Sequence, residues 1–212
     1  SGNPEIFGWK TSEYDDSKWE SAKPYINVEI HQAVSPGNLQ ERTIPYMYRK
    51  DHRFTDIMAV SKSVHSQEKW QEFIEGKTAL EIPSDTEEIV EISAGEEMTG
   101  YISLVLSVGK SADITLTYAE AYVQEEHVGP DHVALKKDRL DQKNGHLEGY
   151  QDNYHVAGLG TQDEPEIYEP FWFRTFRFVQ LHIKTGAEPL TLQHFDYQET
   201  GYPLEVSTSV KT

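Results

Sequence analysis

The chain contains no cysteine. Disulfide bonds, thiolate metal sites and cysteine nucleophiles are therefore excluded. Because a cysteine-free chain tolerates reducing and oxidising compartments alike, this absence leaves the compartment open. Long apolar runs are absent as well. No stretch approaches the roughly 18 residues that a membrane-spanning helix needs, so we expect no membrane insertion.

Positive charge is scarce. Lysine and arginine total 19 against 36 acidic residues, which leaves a net charge of −17. A charge of this sign repels the phosphates of DNA and RNA, and no basic stripe interrupts it, so we expect no nucleic-acid partner. Neutral ligands such as sugars stay possible, although a high net charge by itself also serves solubility.

Common catalytic patterns are missing. The chain has no G-x-S-x-G elbow and neither of the glycine-rich phosphate-binding motifs. Retaining glycosidases on β-sandwiches often carry E-x-D-x-x-E, which puts the carboxylates on one strand face. Glu13-Tyr14-Asp15 begins such a run, but Lys18 stands where the second glutamate belongs. We therefore predict no catalytic residue in this chain.

Metal-binding patterns are equally sparse. The nine histidines include no H-x-H, H-x₃-H or H-E-x-x-H spacing, so we predict no transition-metal site and no obligatory cofactor. Calcium is a separate possibility, because four oxygen-bearing residues lie in one polar segment, although without the glycine and spacing of an EF-hand loop. These residues are Asp131, Asp138, Asp141 and Asn144.

Strand signals dominate from about residue 80 onward. Residues 86–93 mix β-branched and polar residues, and Ala94–Glu97 is predicted to close that strand as a turn. Residues 113–118 alternate polar and apolar side chains with period two, as a half-buried strand does. The sequence therefore predicts an all-β fold with very little helix. We expect an antiparallel β-sandwich of the jelly-roll, concanavalin-like or galactose-binding-like kind.

Two segments depart from the strand pattern. Ser66–Glu75 is predicted to form a short helix, because Trp70, Phe73 and Ile74 have helical spacing. Residues 124–152 are rich in charged and polar residues with few apolar anchors. This composition predicts a long, exposed excursion of the chain.

The strongest core signal runs from Tyr168 to Ile183. Pro170 is predicted to lie at a strand end or a bend, since proline cannot donate to a ladder. Arg174 and Arg177 lie inside this apolar strand and need partners when buried, so both are predicted to form structural ion pairs. Strict alternation would put Phe176, Phe178, Gln180 and His182 on one side, and Arg177, Val179, Leu181 and Ile183 on the other.

Aromatic side chains are the main candidates for ligand contact. Each presents a flat apolar ring that can stack on a pyranose sugar, although aromatic rings in a sandwich more commonly fill the core. The candidates for carbohydrate contact are Trp9, Trp19, Trp70, Tyr122, Tyr150, Tyr154 and Trp172.

Several short motifs, in this order along the chain, resemble the region of bacterial α-L-rhamnosidases that contains an accessory β-sandwich. Residues 171–179 resemble the later part of the strand pattern P-x-F-x-x-x-x-F-R-Y-hydrophobic, with Phe178 in the tyrosine position and Pro170 one residue past the proline position. Residues 46–80 match only loosely, and 124–152 is unusually polar for the family. The resemblance is carried by residues 168–179, 92–101 (G-x-x-x-x-G-Y), 115–120 (hydrophobic-x-Y/H-A-E), 152–154 (D-x-Y) and 9–22 (similar to the F-D-D-S-x-W-x-x-A segment of galactose-binding-like modules).

The resemblance implies a fragment of an inverting α-L-rhamnosidase whose catalytic (α/α)₆ barrel follows this chain. Residues 1–45 are then the end of an upstream galactose-binding-like module with its linker, 46–205 the accessory sandwich, and 206–212 the start of a linker to the barrel. No catalytic position of the family can be carried over, because no matching helical segment is present. The implied role is non-catalytic support of that downstream domain, with possible carbohydrate contact, in the bacterial periplasm or outside the cell rather than in the cytoplasm.

Other functions use the same fold. One alternative is a free-standing carbohydrate-binding module. A second is a protein-interaction sandwich unrelated to sugars, which would recruit its partner through an open edge strand or an apolar patch. A metal-dependent jelly-roll enzyme would require the histidines of the polar excursion to converge in space.

Overall fold

The computed structural model describes residues 8–22, 41–128, 131–205 and 207–210, with side chains described outside 126–134. These residues fall into two compact units. The larger unit runs from Tyr48 to Gly201, and the smaller comprises the described parts of 8–47 and 202–212. The domain boundaries near residues 45 and 205 stay predictions.

Strands make up most of the larger unit, and one helix interrupts them in the part of the chain that is described. This confirms the predicted all-β sandwich. Among the described residues, no helix has the length and apolar character to cross a membrane. In chain order the elements are β1 (Tyr48–Arg53), β2 (Asp56–Lys62), α1 (Gln67–Ile74), β3 (Leu80–Ile82), β4 (Glu87–Val108), β5 (Asp113–Ala119), β6 (Tyr122–Val128), β7 (Asp131–Leu135), β8 (His146–Leu147), β9 (Tyr150–His155), β10 (Glu166–Tyr168), β11 (Arg174–Lys184) and β12 (Leu190–Gly201).

The longest strand, β4, belongs to both layers of the sandwich. Its first half pairs with β2 and with most of β11. Its second half pairs with β12, with β10 and, over Met98–Gly100, with the start of β11. All of these pairings are antiparallel. The first layer therefore has the order β2–β4–β11–β5–β9. The second has the order β1–β12–β4–β10, with β3 beside the start of β12. The bend between the halves lies at Gly95, whose φ of 85° favours glycine.

The predicted turn at Ala94–Glu97 is wrong, because the chain bends there without reversing. Val179 of β11 pairs with Ile92 before the bend, and Phe176 pairs with Met98 after it. A turn would have paired the two halves of β4 with each other. Strand β11 instead follows β4 through the bend and shifts its register opposite it.

The register shift also corrects the predicted alternation along β11. It lies between Phe176 and Phe178, so the two rings leave the strand on opposite sides of the sheet. Phe176 packs with Val179 in the main core, whereas Phe178 packs with Tyr122 in a second cluster. A single irregularity in a strand exchanges the faces of the residues beyond it.

The main core lies between the two layers, and helix α1 closes one side of it. The predicted helix is confirmed, and it begins after Ser66, whose hydroxyl accepts the amide N–H of Lys69 as an N-cap. The buried side chains that alternate along the strands include Val90, Ile92, Ile102, Leu104, Leu106, Ile114, Leu116, Phe176, Val179, Leu181, Ile183, Leu192, Phe195 and Tyr197, together with Trp70, Phe73 and Ile74 from α1.

Residues 124–152 contain strands, which corrects the predicted long excursion. Strand β6 pairs with β7 and β8 in a small three-stranded sheet, and β9 joins the edge of the first layer beside β5. The small sheet packs on the first layer through Tyr122 and Leu147, which form a cluster with Ala119 and Phe178. Because few of its described side chains are apolar, its sequence lacks the apolar density that identifies most strands.

A charged cluster on the first layer joins three neighbouring strands. Glu87 of β4 forms ion pairs with Lys62 of β2 at 2.5 Å, and with His182 and Lys184 of β11 at 2.8 Å and 3.6 Å. Hydrogen bonds from Lys62 and His182 lower the pKa of Glu87 to about 2. The cluster therefore favours the ionised carboxylate.

Replacing Glu87 by Gln is expected to remove a stabilising contribution that depends on pH. Because folding lowers the pKa of this carboxyl from 4.5 to about 2, the contribution is fully present above the higher value and disappears as the pH falls to the lower. Thermal unfolding of the unchanged chain and of Glu87→Gln, measured at pH values between about 2 and 4.5, should show the difference between their Tm values shrinking as the pH falls. The exposed carboxyl of Glu81, changed to Gln, is the control. A difference in Tm that stays constant across the interval would contradict the assignment.

Candidate functional site

Three of the seven aromatic candidates lie in the core. Trp70 and Tyr122 are fully buried, and Tyr154 is 8% exposed. The hydroxyls of Tyr122 and Tyr154 donate to the buried carboxylates of Glu91 and Glu166, each over 2.7 Å. These three aromatic residues therefore belong to the packing of the sandwich and present no ring to a ligand in solution.

The other four aromatic candidates are exposed, but they lie on different parts of the chain. In the larger unit, Tyr150 and Trp172 are 78% and 66% exposed. Tyr150 lies on β9, the last strand of the first layer, whereas Trp172 lies in the β10–β11 connection. In the smaller unit, Trp9 and Trp19 are exposed, and the Tyr14 ring lies 5.5 Å from that of Trp19.

The outer side of the second layer gathers polar and aromatic side chains from strands that are distant in sequence. Core residues alternate with outward ones along each strand, so four strands share one face. The pairing register arranges this face in rows, namely Asp51–Gln198–Tyr101, Arg53–Asp196–Ser103 and His194–Val105–Ile167. We call these nine side chains and Arg49 the outer face.

Arg49 fixes one end of the outer face. Its guanidinium lies 3.9 Å from the centre of the Tyr101 ring, donates to the Gln198 side-chain oxygen over 3.2 Å and lies 3.4 Å from Glu169. The Gln198 amide in turn donates to Asp51 over 2.8 Å. The charge of Arg49 is thus neutralised, and the ring and amide beside it are held in place before any ligand arrives.

An aromatic ridge, Phe171–Phe173, continues from Tyr101. The Phe173 ring meets the Tyr101 ring edge-on at 6.3 Å, and Trp172 stacks on Phe173 at 5.1 Å. Phe171 is 84% exposed. Arg174 donates to the backbone carbonyls of Trp172 and Phe173 over 2.9 Å and 3.3 Å, which fixes the backbone of the ridge.

Arg174 also links the ridge to β9. Its Nε and Nη2 donate to the two carboxylate oxygens of Asp152 over 3.0 Å and 2.7 Å, and the two side chains are only 19% and 14% exposed. Burial raises the pKa of Asp152, but the interactions with Arg174, Tyr168 and Tyr118 together outweigh burial, so the pKa lies below its usual value.

Arg177 differs from Arg174. It forms no ion pair within the described residues, and its Nε is buried without a hydrogen bond. Its guanidinium lies 5.5 Å from the centre of the Phe178 ring. Arg177 therefore forms a cation–π contact, whereas the strand pattern predicts an ion pair for it.

A cleft of about 450 Å³ opens at the other end of the outer face. Its wall includes His194 and Ser107, which continues the outward series of β4. The Gln193 amide in this wall donates to the backbone carbonyl of Thr161 over 3.1 Å. The remaining lining residues are Gly76, Lys77, Thr78, Ala79, Gln162 and Thr191. Polar groups thus line the face from Arg49 to the cleft, apart from the apolar Val105 and Ile167 in its last row.

The predicted calcium ligands have protein partners where their side chains are described. Asp141 accepts hydrogen bonds from the side-chain amides of Asn144 and Gln124 over 2.9 Å and 2.8 Å, and these bonds lower its pKa. The side chain of Asp131 lies outside the described residues. No group of three or more metal-ligating side chains occurs among those that are described.

Sequence patterns did not identify the outer face. Tyr101, Ser103 and Val105 form an alternating series, but the sequence does not tell which strands flank them. The partners Arg49 and Gln198 are 149 positions apart in the chain. Only the pairing of β1, β12 and β4 brings these residues together.

No family model matches the chain, and no curated protein sequence matches it. Similar solved structures include a rhamnosidase from Klebsiella oxytoca with rhamnose bound, at a TM-score of 0.42, 14% identity and 74% of this chain. A GH78 family rhamnosidase of Bacillus sp. GL1 has a TM-score of 0.37, 18% identity and 60% coverage of this chain. Chitosan-binding module 1 of a Paenibacillus sp. IK-5 chitosanase/glucanase has a TM-score of 0.38 and 11% identity over 69% of this chain and 98% of the module. The chain spans 30% and 11% of the length of the two rhamnosidases.

Proposed function

We propose that the larger unit is a non-catalytic accessory sandwich of an α-L-rhamnosidase-like hydrolase, and that it contacts carbohydrate through the outer face. The observation that carries this proposal is the array of Arg49, Tyr101 and Gln198, which continues into the aromatic ridge. The ordered motifs in the sequence support the parent enzyme. The absence of a catalytic carboxylate pattern in the sequence supports a role without turnover.

The chemistry of the face suits a neutral sugar. Aromatic rings stack on the apolar faces of a pyranose, and fixed amides and carboxylates bond its hydroxyl groups. The net charge of −17 opposes anionic ligands. Millimolar affinity corresponds to about −4 kcal/mol, which a few such contacts supply.

Trp172→Ala is expected to weaken sugar binding about tenfold, because it removes the exposed ring of the ridge, and a tenfold change corresponds to about 1.4 kcal/mol. Calorimetric titration of the purified chain with L-rhamnose and rhamnose-containing oligosaccharides measures the effect. Tyr150→Ala, which removes an equally exposed ring from β9, is the matched control. Loss of binding in the control alone would move the site to the first layer. Hydrolysis of an aryl α-L-rhamnoside by the purified chain would overturn the non-catalytic role.

A second candidate function is docking onto the downstream catalytic domain. It is favoured by the adjacent Phe171 and Trp172 side chains, which are 84% and 66% exposed, since exposed aromatic pairs are common at protein interfaces. In that case Trp172→Ala leaves sugar affinity unchanged and weakens retention of the catalytic domain in a pull-down. The same variant therefore separates the two functions.

A further inference from the structure

Asp196 is a carboxylate at the centre of the outer face that lacks a protein donor. It is half-buried, between Arg53 of β1 and Ser103 of β4 in the pairing register. No hydrogen bond or ion pair joins its side chain to another residue in the described part of the chain. Both of its carboxylate oxygens can therefore accept hydrogen bonds from a ligand.

The neighbours of Asp196 are already engaged or do not reach it. The Arg53 guanidinium donates to the backbone carbonyl of Glu75 at the end of α1. The Gln198 amide donates to Asp51. Burial raises the pKa of Asp196, although the nearby charges of His194 and Arg53 oppose that effect. The neighbouring side chains therefore leave the carboxylate oxygens of Asp196 available to a ligand.

We propose that Asp196 selects the ligand of the outer face, its carboxylate accepting two hydrogen bonds from adjacent hydroxyl groups of a neutral sugar. This inference rests on the proposed function. A carboxylate has two acceptor oxygens, which match two neighbouring hydroxyl donors. The carboxylates of Asp51 and Asp196 on the same face repel an acidic sugar. The cations beside them, Arg49 and Arg53, already bond protein groups and do not offset this repulsion.

The test uses the whole chain and calorimetric titration with methyl α-L-rhamnoside and its 2-deoxy and 3-deoxy forms. For the unchanged chain, removal of either of two adjacent hydroxyls should weaken binding about tenfold. Asp196→Asn keeps the shape of the side chain but exchanges one acceptor for a donor. It should bind the parent sugar about tenfold more weakly and distinguish the deoxy forms less than the unchanged chain does. Asp56→Asn, the same substitution at an exposed position of β2, is the control and should behave as the unchanged chain.

The outcomes separate this inference from the proposed function. Absence of binding by the unchanged chain to any of the sugars overturns both. Sugar binding that depends on Trp172 but is unchanged in Asp196→Asn overturns only the role of Asp196. Tighter binding of D-glucosamine than of the neutral sugars, lost in Asp196→Asn, would assign an ammonium ligand in place of the hydroxyl pair. Thermal unfolding of Asp196→Asn at a Tm no lower than that of the unchanged chain shows that any loss of affinity is not a loss of fold.

Discussion

Asp152→Ala is expected to lower the free energy of unfolding of the larger unit by about 3 kcal/mol, because it leaves a partly buried guanidinium without its carboxylate. Arg174 is 19% exposed and donates two hydrogen bonds to Asp152. The Tyr118 ring, 5.7 Å from the guanidinium, cannot replace a carboxylate in neutralising that charge. At about 2–4 °C per kcal/mol for a domain of this size, Tm should fall by about 6–12 °C in a thermal melt.

The neighbouring strands β5 and β9 provide a matched control. Asp113 of β5 forms an ion pair with His155 of β9 at 2.7 Å, but the two side chains are 70% and 53% exposed. Exposed pairs contribute about 0–1 kcal/mol, so Asp113→Ala should change Tm little. The double variant Asp152→Ala with Arg174→Met should recover part of the lost stability, because it removes the unpaired charge. Equal losses for the two aspartate variants would show that burial of the Asp152–Arg174 pair has no consequence.

The class of fold was predictable from the sequence because strands show a local pattern. Residues 113–118 alternate with period two, and the burial of β5 follows this alternation from Asp113 to Leu116. The helix was predictable for the same reason, since the spacing of Trp70, Phe73 and Ile74 is set within two turns. Both signals depend on neighbours in sequence, so no knowledge of the tertiary structure was needed.

The errors arise where distant pairing decides the outcome. Ala94–Glu97 has the composition of a turn, yet β11 lies alongside it and keeps both halves of β4 extended. The strands of 124–152 were missed because, among the described side chains, few apolar ones such as Tyr122 and Leu147 pack the small sheet on the first layer. In each case the stabilising contacts come from residues that the local pattern does not include.

The candidate site was less predictable than the fold, because an aromatic residue in the sequence does not show whether its ring is buried in the core or exposed on the surface. Trp70 and Trp172 are the same residue type, but one is fully buried and the other is 66% exposed. Arg174 and Arg177 lie three positions apart, and among the described residues only the first is paired with a carboxylate. The direction of a side chain depends on register and bulges, which the sequence does not specify at these positions.

Trp70→Ala is expected to destabilise the larger unit by about 4 kcal/mol, because it empties the space of a fully buried tryptophan. The ring meets Phe73 edge-on at 5.9 Å, and its indole N–H donates to the Ser63 hydroxyl over 3.0 Å. Helix α1 has only eight residues, so its own backbone bonds are too few to hold it in place without this contact. Chemical denaturation followed by circular dichroism measures the loss.

Two further variants show which part of the Trp70 side chain matters. Trp70→Phe keeps most of the buried ring and removes the indole donor, so it should cost about 1–2 kcal/mol. Val64→Ala, at an exposed position before α1, should stay within about 0.5 kcal/mol of the unchanged chain. A Trp70→Ala chain of unchanged stability that binds sugar more weakly would reverse the assignment and make this ring a ligand contact. The expected result is the opposite one, a large loss of stability at a position from which no sugar can be reached.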